Sequence, residues 1–177
     1  MDLNTLNRRT FLRRVGHAGA AGMALPLLGC LPGAKFDADP VVLMGGPSGA
    51  QEAFIQDRLR VRPGTTVTWE LQSSGHTAAA YPPDTHNAYP SRIPEGATPF
   101  DSPLLFTKGE RYAFTFEIEG VYNYFCRPHE GSGMVGVVVV GNPLDGPGLT
   151  SPQHELPRAA RNALQELISW AKRLPKA

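Results

Sequence analysis

The sequence predicts an all-β fold, a Greek-key β-sandwich that is followed by one C-terminal amphipathic helix. Two observations carry this reading: short runs of alternating apolar residues separated by turn residues, and helical spacing confined to the end of the chain. Composition agrees, because 19 Gly and 17 Pro in 177 residues suit many short strands and turns better than a helical bundle. With 41% hydrophobic and 19% charged residues, there is material for one core with end segments.

The strand signals begin with the apolar run Val41 to Met44. Arg58 to Arg62 follows, with charge alternating against Leu59 and Val61 before a Pro63-Gly64 turn, so two strands are expected to be joined by a Gly-rich loop. Thr65 to Gln72 places Val67, Trp69 and Leu71 on one face and polar residues on the other. Arg111 to Glu117 repeats this with Tyr112, Phe114 and Phe116, and Val121 to Cys126 and Met134 to Val140 supply two more runs. Strands in such order without intervening helices predict a two-sheet antiparallel sandwich. The long Pro-rich stretch from Pro82 to Phe106 shows neither period and is expected to cover one end of it. Finally, Ala160, Leu164, Leu167, Ile168, Ala171 and Leu174 recur at helical spacing. That helix either packs back on the sandwich, docks a partner, or lies at a membrane surface.

The chain divides into residues 1–30 as a signal peptide, 31–40 as a tether, 41–141 as the domain, and 142–177 as linker plus helix. Within the first segment NRRTFLR, with Arg8 and Arg9, precedes an uncharged stretch too short and too rich in Gly and Ala to span a membrane. It resembles a twin-arginine export signal. The closing LPLLGC resembles a lipoprotein processing site, which implies that Cys30 carries lipid and tethers the exported, periplasmic domain to a membrane face. A disulfide between Cys30 and Cys126, the two cysteines of the chain, is disfavoured because each has a better explanation. A net charge of +1 gives no sign of a nucleic-acid partner.

The chemistry concentrates in YNYFCRPHEGSGMVGVVVV, where Cys126, His129 and Met134 share one tight loop. Pro128 stiffens that turn, while Gly131 and Gly133 let it curl back. A thiolate, an imidazole and a thioether are soft or borderline donors, and two His, one Cys and a weak axial Met form the blue-copper set. Zinc seldom takes a thioether. The remaining imidazole is assigned to His76, just beyond the strand that ends near Gln72, with His86 as its competitor. His17 and His154 read as solvated.

These motifs resemble the plastocyanin and halocyanin-like branch of the cupredoxins over roughly Val41 to Val140, the Y-x-Y-x-C run of Tyr122, Tyr124 and Cys126 included. The resemblance implies one type 1 copper ion, ligated by His76, Cys126, His129 and Met134, and redox partner proteins docking near His129. Thr77 departs from the Asn commonly found after the first imidazole. Its backbone N–H is expected to reach the Cys126 sulfur. The function expected is a mobile or membrane-tethered single-electron carrier, not an enzyme, since no His-x-His pair points to further copper sites. A copper carrier or storage protein is the alternative, as is an accessory copper domain of a larger redox complex.

Overall fold

Alternation decides which side of each strand turns inward, and the computed structural model, which describes residues 35–46, 52–73, 75–81 and 89–176, follows it closely. The elements are β1 (Val41–Met44), β2 (Phe54–Ile55), β3 (Arg58–Val61), β4 (Thr65–Leu71), β5 (Ala79–Ala80), β6 (Arg111–Phe116), β7 (Gly120–Phe125), β8 (Val135–Val140) and α1 (Arg158–Lys172). Two four-stranded sheets form, in the orders β2-β1-β4-β6 and β3-β8-β7-β5. Among the described residues no helix is long and apolar enough to cross a membrane.

Both sheets are mixed, which corrects the expectation of purely antiparallel pairing. β1 runs parallel to β4, and β3 runs parallel to β8. The cause lies in the crossovers: the chain leaves the first sheet after β2, makes β3 in the second, and returns as β4. Parallel neighbours need such long connections. β1 and β3 are therefore not two strands joined by one loop; they belong to different sheets.

Between the sheets Val67, Trp69 and Leu71 of β4 are fully buried, as their alternation requires. Trp69 is the hub, with its ring centroid 5.1 Å from that of Phe100 and 5.4 Å from that of Tyr124. Such aromatic pairs add about 0.5–1.5 kcal/mol each beyond area burial.

A second apolar layer lies on the other side of the β3-β8-β7-β5 sheet. Ala160, Leu164, Leu167 and Ile168 of α1 pack there against Val121, Phe125, Val135, Val137 and Val139. All six residues of β8 are buried, because a strand covered on both faces loses its polar alternation. The helix packs back on its own domain, the first of the three expected placements. Its C-terminal end also explains Arg60, which alternation assigned to a wet face. Arg60 is 5% exposed and donates to the carbonyls of Gly141 (3.3 Å) and Pro175 (2.8 Å).

The described part of the long Pro-rich segment does more than cover an end. Phe100 to Leu105 runs alongside His76 to Ala80, exchanging backbone hydrogen bonds that include Leu105 N–H to His76 C=O at 3.0 Å and Ala80 N–H to Phe100 C=O at 2.8 Å. Ile93 and Phe100 enter the core. Arg92, fully buried, joins this segment to β7 and the C-terminal linker through Asn123 Oδ1 and the Thr150 carbonyl, both at 2.8 Å. Burial without a carboxylate lowers its pKa to about 10.

Candidate metal centre

Two stretches meet at one pole of the sandwich. β4 ends at Leu71, and a turn through Gly75 leads to His76, which is held by its bridge to Leu105. β7 ends at Phe125, so Cys126 leaves the sheet directly into a 3-10 turn, Arg127–Ser132, that begins with Pro128 near its start. The turn breaks at His129 and ends at Gly133 with φ of 88°. The backbone angle at Gly133 favours glycine, and a Cβ there would also crowd the backbone of Ala159 in α1 at 3.2 Å. Hydrogen bonds close the loop: His129 N–H to Cys126 C=O (3.0 Å), Met134 N–H to His129 C=O (3.1 Å) and Cys126 N–H to Met134 C=O (2.9 Å).

This geometry brings three side chains together. His129 Nδ1 is 3.0 Å from His76 Nδ1, and the Cys126 sulfur is 3.4 Å from His129 Nδ1 and 3.6 Å from His76 Nδ1. Cys126 is a free, buried cysteine, and His76 is 3% exposed. Met134 is 1% exposed, and its backbone joins Cys126 to His129 as described. His154 is exposed in the C-terminal segment, whereas His17, Cys30 and His86 lie outside the described residues.

The outer nitrogens of both rings face polar groups. His76 Nε2 is 3.3 Å from Ser73 Oγ, and His129 Nε2 is 3.4 Å from Glu52 Oε1. With each Nε2 facing an outer polar group, the two Nδ1 atoms and the sulfur are turned toward one another. Three side chains of this kind converging within 4.8 Å could hold a metal ion, and their donor types are those of copper. Burial, then the neighbouring His129, pushes the His76 pKa down, which favours the neutral ring. Burial pushes the Cys126 thiol up, opposed by the N–H and hydroxyl of Thr77.

Thr77 does the work expected of its backbone and more. Its N–H donates to the Cys126 sulfur at 3.3 Å, and its hydroxyl oxygen accepts the Arg127 N–H at 2.8 Å. The side chain thus ties the His76 stretch to the Cys126 stretch despite the departure from Asn. Further support comes from Arg127, which pairs with Asp101 at 2.9 Å, and from Tyr81, which donates to Glu130 at 2.8 Å. Gly45 makes room: a Cβ there would come 2.8 Å from His76 Nε2. Gly45, Glu52 and Ser73 were missed by sequence reasoning, because none belongs to a motif and each acts through space.

The site lies within the stretch that matches known proteins. The family model for copper binding proteins of the plastocyanin/azurin family matches residues 40–141. Halocyanin of Natronomonas pharaonis is 36% identical over 102 residues, which are 58% of this chain but only 56% of the halocyanin, so the match spans little more than half of that protein. The chloroplast plastocyanin of Chlamydomonas reinhardtii is 32% identical over 123 residues, covering 70% of this chain and 80% of the plastocyanin. Among solved structures, native pseudoazurin from Hyphomicrobium denitrificans superposes with a TM-score of 0.59 at 27% identity, covering 75% of this chain and 98% of the other. The cofactor of this fold is copper, and the chain belongs to the plastocyanin/azurin family of copper-binding proteins.

Proposed function

We propose that the protein is a single-electron carrier in which His76, Cys126, His129 and Met134 hold one type 1 copper ion. The observation that carries this reading is the convergence of two Nδ1 atoms and one sulfur at 3.0 to 3.6 Å, inside a buried pole supported from both sheets. The ion, when bound, supplies one-electron chemistry between Cu(I) and Cu(II).

The protein's own residues supply rigidity. His76 is fixed by its bridge to Leu105, and the Cys126 to Met134 loop is closed by three backbone hydrogen bonds. A scaffold that keeps its donors in place lowers the rearrangement that electron exchange requires. Four protein donors leave no place for a substrate, which favours a carrier over an enzyme. Partners are redox proteins, and they dock at the pole near His129, whose side chain is 19% exposed against 3% for the whole of His76. Export through the NRRTFLR segment and lipidation at Cys30 would place the carrier outside the cytoplasmic membrane and tethered to it.

The test is the optical and paramagnetic spectrum of the Cu(II)-loaded protein. An intense thiolate-to-copper band that vanishes in Cys126→Ser is the expected result. A colourless protein, or colour that survives the substitution, overturns the assignment. Weakly held copper that exchanges freely would instead mark a copper carrier.

A further inference from the structure

We propose that Glu52 is a positioning residue for the copper ligand His129, holding the ring by the nitrogen opposite the metal. The inference rests on the ligand assignment above. Glu52 stands just before β2, whose Phe54 is 5% exposed and paired with Met44, so its backbone is anchored to the first sheet. From there Oε1 lies 3.4 Å from His129 Nε2, and Oε2 accepts a hydrogen bond from Ser132 Oγ. One carboxylate thus spans the ring and the end of the ligand turn.

An isolated surface ion pair contributes little. Here the carboxylate is 47% exposed but the ring only 19%, and the second oxygen is engaged as well. A carboxylate accepting the outer N–H of a ligating imidazole fixes the tautomer, aims the other nitrogen, and raises its basicity. Greater basicity favours Cu(II) over Cu(I), so Glu52 lowers the reduction potential. The outermost ligand is thereby locked by an element of the opposite sheet, distant from it in sequence.

Wild type, Glu52→Ala and Glu52→Gln are compared by three measurements: copper affinity against a competing chelator, the potential of the loaded protein, and the imidazole proton and nitrogen spectrum of the apoprotein. Glu52→Ala is expected to weaken copper binding about 10–100-fold and to raise the potential, and Glu52→Gln to shift both the same way by less. The His129 Nε2 proton, protected in wild type, is expected to exchange rapidly in Glu52→Ala. Affinity and potential unchanged in both variants would overturn the proposal, as would a lowered melting temperature with an unmoved potential. If wild type takes up no copper, the ligand assignment fails separately. The apoprotein spectrum then decides: protection lost in Glu52→Ala upholds the contact with His129, and protection unchanged refutes it.

Discussion

Replacing Thr77 by valine separates two jobs that one residue performs. Thr77 is fully buried; its backbone N–H reaches the Cys126 sulfur and its hydroxyl oxygen accepts the Arg127 N–H at 2.8 Å. Valine keeps the shape and the backbone donor but removes the acceptor. Losing this part-buried hydrogen bond, whose acceptor side is fully buried, costs about 1–3 kcal/mol. For a domain of this size about 3–4 °C of melting temperature corresponds to 1 kcal/mol, so the apoprotein should melt about 3–12 °C lower. The assay is thermal unfolding by circular dichroism, paired with the visible spectrum of the copper-loaded protein. The colour should persist, because the N–H to sulfur contact remains, but its band should shift, because the hydroxyl also acts on the Cys126 sulfur. A variant that melts with wild type refutes the tie between the two stretches. One that loses its colour at unchanged melting temperature shows that the hydroxyl acts on the metal centre instead.

Leu164→Ala, at a fully buried position of α1, should destabilise the fold by about 2–5 kcal/mol while leaving the copper spectrum in place; a changed spectrum would mean that the helix acts on the site. Burial raises the pKa of Tyr81, Tyr112, Tyr122 and Tyr124, that of Tyr122 to about 12. These groups keep their protons in the fold but ionise near pH 10 when unfolded. Their contribution is complete below about pH 10 and is lost as the pH rises toward about 12. Phenolate absorbance should therefore grow together with unfolding, and reversible ionisation of all four near pH 10 in a native protein would contradict the burial. Copper should stabilise the chain by about 2.7 kcal/mol when free metal is 100 times its dissociation constant. A chelator should reverse that gain in melting temperature.

Legibility in the sequence followed from where the determining contacts lie. β4 was readable because one face of Val67, Trp69 and Leu71 is dry and the other wet. The gathering of Cys126 and His129 was readable because one turn compresses them, and that of His76 because it follows a clear strand end, while Met134 stays a proposed donor. β2 and β5 have two residues each, too few to show a period. The parallel pairings were hidden because direction depends on which sheet each strand joins, a choice made by the packing of Leu59 and Val61 against distant partners. Arg60 and Arg92 look like surface residues by type. They are buried because carbonyls of Pro175 and Thr150, far along the chain, complete their hydrogen bonds. Glu52 is illegible for the same reason, since its partners at 129 and 132 are separated from it by six strands.

The helix covers the outer side of the β3-β8-β7-β5 sheet, so where the chain is cut should matter for solubility. Cutting after residue 141 would keep every proposed copper donor yet strip the cover from Tyr81, Phe125, Val135, Val137 and Val139. Such a fragment would present a greasy plane to water and clump. The family match ends at residue 141, whereas the apolar layer over this sheet runs on through α1 to Lys172. Any graft of this centre into another host should carry the helix along with it.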